Sequence, residues 1–453
     1  MKTGLTRGLT VFAIGSLLFA SISYAQSSEP DKKSSKDPGI IYAKRADIVS
    51  NISLEKSQSI VSYFNNPKNR VNIQFPGVES SYAWQHMSLL LPTAQVLRGG
   101  PIFELPYNIQ NSIGSITYRN SKGETHSVDE HFKKFPIDGM IVLKKGAVVY
   151  ERYRTMRPED KHIWYSVSKV IGSTLMLFLE EEGKVDVNQP VTMYLPELKG
   201  TVWDSVKVIE ALDMATGLNG TELDEPSNDS MVNPQQIWYQ WAVSVGMATR
   251  TAADSATWYE VLGKMRRIRP AYNAFAYNSI STFVVDRIVE RAGNKPLTDQ
   301  LSERIWKKMG MEHDGYMGVS PQGFGLGNGF MNSTLRDLAR FGAIYTPSHA
   351  GISGGTILSA RMLKKMQNTE HSDMYSKGNV GKFYKEVFPD QKVIANRYQW
   401  DAVFQDGDLF KAGIGGQGLY VSPSKDMVVA WFCTGSGADE EEAMARAIVT
   451  SLK

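Results

Sequence analysis

Apolar and β-branched residues gather in short runs broken by turn residues toward both ends of the chain, and in longer helical stretches between them. Asp138 to Arg152 reads GMIVLKK, a Lys-Gly turn, then AVVYER, a pattern that predicts a β-hairpin. Directly after it, Val167 to Glu182 is apolar over most of its length and stops at Gly183, which predicts a buried helix. The middle, from about 200 to 385, is expected to be mainly helical with long loops; Phe283 to Ala292 and Ser302 to Met309 are its clearest helices. Gly418 to Val421 and Met427 to Cys433 predict two strands around a Pro-Ser-Lys-Asp turn, and Glu440 to Leu452 predicts a closing helix. Strands at both ends around a helical middle point to an α/β domain interrupted by an all-α insertion, with a cleft between them as the natural site.

The first residues follow a different pattern. Lys2 and Arg7 precede an apolar stretch from Leu9 to Tyr24, and Ser23-Tyr24-Ala25 places small residues at −3 and −1 of a cleavage site. Such a start predicts a signal peptide over 1–25, hence a periplasmic or secreted protein. The stretch is short for a spanning helix and holds Gly15 and three serines, and nothing later is long and apolar enough to span, so no stable membrane insertion is expected after cleavage. Residues 26–69 are expected to form a polar tether and an N-terminal extension, with no clear pattern over 41–70. From about residue 70 to 453 the chain reads as one globular unit, the helical insertion at about 200–385 included.

Composition narrows the function. The 453 residues are 42% hydrophobic and 21% charged with a net charge of +3, and no basic stripe suggests a nucleic-acid partner. The single cysteine, Cys433, sits in an apolar run and is expected in the core. The seven histidines show no metal-ligand spacing, so neither a metal nor another cofactor is expected.

Three elements carry chemistry. Ser166-Val-Ser-Lys169 is an S-x-x-K motif; the same pattern recurs at Ser53–Lys56 and Ser422–Lys425, but only Ser166 opens a long apolar helix. Residues three apart share a helix face, so the Lys169 amine can reach the Ser166 hydroxyl. Burial disfavours the ammonium and leaves a lysine able to activate a serine. The second element is Tyr277-Asn278-Ser279, just ahead of a helix; Tyr277 can relay a proton if neighbouring cations lower its pKa. The third, Lys411-Ala-Gly-Ile414-Gly-Gly-Gln, enters a strand; its glycines let a carbonyl approach the backbone, and the Ile414 and Ser166 amides can form an oxyanion hole.

In order and spacing these three motifs resemble the serine β-lactamase and penicillin-binding-protein superfamily. The branch they look most like contains class C β-lactamases, family VIII carboxylesterases and 6-aminohexanoate-dimer hydrolases. Leu179 to Glu197, Leu212 to Leu218, Ser333 to Gly342 and Gly413 to Pro423 look like family stretches, and Trp84 to Gly100 is similar to the amide-hydrolase side. The resemblance implies an antiparallel sheet flanked by helices with a helical insertion domain. It also implies Ser166 as nucleophile, Lys169 with Tyr277 as the acid–base pair, Ser166 and Ile414 as oxyanion amides, and Ser279, Lys411 and Gly413 in substrate binding.

Two departures steer the expected substrate. Asn278-Ser279 replaces x-Asn, and Ala412 replaces a Thr or Ser whose hydroxyl resembles a donor to a substrate carboxylate; alanine cannot donate. The expectation is therefore a serine hydrolase of a small linear amide or ester. The alternatives are a β-lactamase or D,D-peptidase acting on cell-wall material, and an inactive binding homologue. Intact Ser166, Lys169, Tyr277 and Lys411 argue against the last.

Overall fold

The computed structural model describes residues 38–249, 256–435 and 440–452; the stretch expected to be a signal peptide, 1–25, and residues 26–37 of the expected tether lie outside them. Its centre is a seven-stranded antiparallel sheet. The strands are β1 (Ile137–Lys144), β2 (Ala147–Tyr153), β3 (Ile394–Arg397), β4 (Trp400–Phe404), β5 (Leu409–Gly413), β6 (Gln417–Ser422) and β7 (Met427–Cys433). They lie in the order β2-β1-β7-β6-β5-β4-β3, so the first hairpin adds onto the last strand of the chain. The hairpin predicted at 138–152 is β1–β2, turned by Lys145 (φ 51°) and Gly146 (φ 76°), the two positive values a tight turn between twisted strands requires.

Every residue of β7 is buried because the sheet is covered on both faces. Side chains alternate between two cores: Val428, Ala430 and Phe432 join one, Met427, Val429, Trp431 and Cys433 the other. On the first side pack α1 (Lys169–Glu181), α2 (Ser279–Gly293) and α3 (Leu335–Ala343); on the second packs α4 (Glu441–Ser451). An antiparallel sheet flanked by helices is the fold class expected.

Details differ from the sequence pattern. A second, four-stranded sheet joins Thr93–Val96, Gly315–Gly318, Met331–Ser333 and His162–Ile163 inside the stretch expected to be helical and beyond it. Strands of two to four residues are too short for a period to be read. The helix predicted from Ser302 begins at Leu297 and runs on as a π-helical turn over Ser302–Trp306. The patternless stretch 41–70 holds a helix, Leu54–Asn65, capped by the Ser53 hydroxyl; that S-x-x-K is a helix cap. No described helix is long and apolar enough to cross a membrane.

Candidate active site

Ser166 sits where the short strand His162–Ile163 turns into α1. The first turn, Tyr165–Ser168, is a 3₁₀ turn rather than the α-helix expected from Val167, and in that geometry residues three apart eclipse. Lys169 Nζ accordingly lies 3.2 Å from Ser166 Oγ. Tyr165, just before, adopts φ 43°, an uncommon conformation for a bulky residue. Its hydroxyl donates to the Ile73 carbonyl at 2.6 Å and its ring meets Trp84 edge-on, 4.9 Å between centroids. Ile73 and Trp84, at the start of the globular unit, thus brace the turn that presents Ser166.

Lys169 is buried and donates also to Ser279 Oγ at 2.9 Å and to the Asn328 carbonyl. Burial lowers its pKa to about 7; the Lys411 charge lowers it too, while Glu222 opposes the shift. Glu222 is itself buried and accepts the Ser279 amide with both oxygens, at 2.9 and 3.1 Å. Asn278 Oδ1 accepts the Ile280 and Ser281 amides at 2.8 and 3.2 Å. That cap starts α2 at Ser279 and leaves Tyr277 just off its end.

Tyr277 corrects one expectation. Lys169 and Lys411 do flank its ring, 5.4 and 4.6 Å from the centroid, and Lys411 Nζ approaches its hydroxyl at 3.2 Å. Yet burial, reinforced by the negative charges of Asp401 and Glu222, pushes its pKa well above the ordinary value. The two cations do not lower it: burial outweighs them, and Lys411 is itself paired with Asp401. Tyr277 is a neutral phenol, and its hydroxyl interacts with the Ser166 side chain.

Lys411 does not line the cavity; its ammonium lies behind Tyr277, 2.5 Å from Asp401 Oδ1. The other Asp401 oxygen accepts the Ala412 amide at 3.0 Å. Gly413 is required by proximity: a Cβ there would lie 2.6 Å from the Trp164 carbonyl and 3.0 Å from the Ser166 amide. The end of β5 therefore runs against the Ser166 turn, and Ile414, the next residue, faces the same cavity.

That cavity, about 570 Å³, is lined by Ser166, Lys169, Tyr277, Ser279, Ala412, Gly413 and Ile414. All the motif residues converge on it, Lys411 from behind. Among the groups not anticipated are Glu222, Asn328, Asp401 and Glu442, which line it as well. Asp401 left a signal, a lone acid inside the apolar strand Trp-Asp-Ala-Val-Phe. Glu222, in an irregular polar loop, left none.

The family model described as Beta-lactamase matches residues 128–452. The chain belongs to the β-lactamase family. It is a serine hydrolase of that kind. The 6-aminohexanoate-dimer hydrolase of Paenarthrobacter ureafaciens is 29% identical over 349 residues, covering 77% of this chain and 83% of that protein. Esterase EstB of Burkholderia gladioli is 24% identical over 202 residues, 41% of this chain and 48% of EstB. A solved structure from Bacillus anthracis, provisionally assigned as a 6-aminohexanoate-dimer hydrolase, shares the fold. Its TM-score is 0.67 at 21% identity, over 86% of this chain and 94% of that one.

Proposed function

We propose that this family member hydrolyses small linear amides or esters through an acyl-enzyme on Ser166. The observation that carries the reading is the Lys169 amine, buried, lowered to about 7 and 3.2 Å from Ser166 Oγ. Near neutral pH a good fraction of it is uncharged. It takes the Ser166 proton as Oγ attacks the substrate carbonyl. The Ser166 and Ile414 amides receive the oxyanion. Tyr277, kept protonated by its surroundings, gives its proton to the departing amine or alcohol and is reprotonated from Lys169. An acid and a base whose environments set their pKa values apart suit the two halves of the reaction. Water then attacks the acyl-enzyme by the reverse proton path, and the acid leaves.

Two features support a substrate neutral at the Ala412 side. Ala412 lacks a hydroxyl, and Lys411 is neutralised by Asp401. The amide-hydrolase relative supports the linear-amide part. Export, through cleavage after Ala25, belongs to the same proposal and rests on the Lys2, Arg7 and Leu9–Tyr24 pattern. Purified protein assayed against p-nitrophenyl esters, linear amides, D-amino-acid peptides and nitrocefin tests the substrate class. Turnover confined to nitrocefin or D-amino-acid peptides overturns it. N-terminal sequencing of secreted or periplasmic protein should begin at Gln26.

A further inference from the structure

The loop that carries the Ile414 amide is rich in glycine. Gly413 ends β5, Gly415 and Gly416 follow at φ 82° and 88°, and β6 begins at Gln417. Such a backbone has little rigidity of its own, so its shape comes from what holds it. The Gly416 amide donates to the Gly413 carbonyl at 3.1 Å. N–H and C=O point opposite ways in a trans peptide, so this bond also aims the Ile414 N–H. The next carbonyl, that of Ile414, accepts Gln417 Nε2 at 3.3 Å. The two after it accept the Gly435 amide at 2.9 Å and Trp431 Nε1 at 2.7 Å.

Gln417 is buried, and its carboxamide holds β7 as well. Nε2 donates to the Cys433 carbonyl, and Oε1 accepts the Cys433 amide at 3.0 Å. The paired residues of β6 and β7 end at Gly418 and Trp431, so this side chain grips β7 beyond the last backbone pair. Turned over, the carboxamide would set its oxygen against two carbonyls; one orientation alone satisfies all three bonds. The Ile414 carbonyl is thereby fastened to an interior strand of the main sheet.

We propose that Gln417 is the positioning residue of the oxyanion hole, holding the Ile414 amide in place by tying the Ile414 carbonyl to β7. This rests on the reading of Ser166 as a nucleophile whose oxyanion the Ile414 amide receives. The carboxamide itself touches no reacting atom. Without it the Ile414 carbonyl loses this donor, and the peptide between Ile414 and Gly415 is free to turn, because glycine accepts either orientation. The Ile414 N–H then drifts from the point where negative charge develops, and a donor there acts most strongly when it is fixed beforehand. A bound substrate with a neutral carbonyl loses little by the change, and the transition state loses more.

The test uses two variants of the full chain. Gln417→Glu keeps the acceptor for the Cys433 amide and removes both donors; Gln417→Met removes all three bonds at similar size and adds no charge. For each, kcat and KM are measured on a p-nitrophenyl ester, and Ki is measured for an alkyl trifluoromethyl ketone. Ser166 Oγ adds to the carbonyl carbon of that ketone, the hydroxyl proton passes to Lys169, and the former carbonyl oxygen carries the negative charge into the hole. In either variant kcat should fall about tenfold to a hundredfold with KM little changed. Ki for the ketone should rise by the factor by which kcat/KM falls, a match that a role in folding alone would not produce. Thermal unfolding shows which variants are folded. Unchanged kcat and Ki in a folded variant, or a raised KM at unchanged kcat, overturns the proposal; so does failure of both variants to fold, which would make Gln417 a residue of the fold. These outcomes, with an active wild type, count against Gln417 alone. A wild type without Ser166-dependent turnover overturns the hydrolase reading and the proposal together.

Discussion

Asp401 holds Lys411 at 2.5 Å and takes the Ala412 amide at 3.0 Å with its second oxygen. The lysine of the third motif is thereby neutralised from within the sheet. A substrate carboxylate beside Ala412 finds neither a free ammonium nor a hydroxyl there. Neutral short-chain esters or linear amides should therefore outpace nitrocefin and penicillins under matched conditions. Restoring a donor with Ala412→Thr should raise β-lactam turnover more than ester turnover, by up to about ten- to a hundredfold in kcat/KM, as one hydrogen bond to a charged group allows. Rapid penicillin hydrolysis by the wild type, with no response to Ala412→Thr, would place carboxylate recognition elsewhere.

The pH profile should report Lys169. Only its neutral form accepts the Ser166 proton, so kcat/KM for a neutral ester should rise with pH through about 7 and level off above. Glu222 favours the charged lysine, so Glu222→Gln should lower the Lys169 pKa and move that limb to lower pH. Glutamine can still accept the Ser279 amide. A limb that stays in place in Glu222→Gln separates the two groups.

Tyr277→Phe should discriminate between leaving groups. A departing amine needs a proton and p-nitrophenolate does not, so amide hydrolysis should fall by about 10² to 10⁴ while p-nitrophenyl ester turnover falls far less. Equal losses on both substrates, measured as kcat, would mean that Tyr277 acts on the attack step instead.

Much of this site was legible in the chain. Ser166, Lys169 and Tyr277 announce themselves because a helix start and an apolar run fix where they point. The hairpin at 138–152 and β7 were readable because their periods are local. What escaped depends on contacts between different elements. Glu222 reaches Ser279, and Asp401 reaches Lys411 across neighbouring strands. These partners set the charge states, which is why the pKa of Tyr277 moved opposite to the expectation drawn from its lysines alone. The second sheet was missed for a related reason, since its short strands are paired only by tertiary contacts.

Gly413→Ala tests whether the approach of β5 to the Ser166 turn matters for activity. The added methyl would lie 2.6 Å from the Trp164 carbonyl, so strand and turn must separate. Ester kcat should fall by about a hundredfold, the scale of an ångström's misplacement, while the melting temperature changes by only a few degrees. Unchanged kcat would show that the oxyanion position tolerates the shift.

The acyl-enzyme on Ser166 is tested most directly by mass spectrometry of protein treated with a fluorophosphonate probe. The wild type should carry one adduct, on the peptide containing Ser166, and lose ester hydrolysis in proportion; Ser166→Ala should take no label and hydrolyse nothing above background. Hydrolysis by Ser166→Ala at the wild-type rate, or labelling at another serine that tracks the loss of activity, would contradict the account.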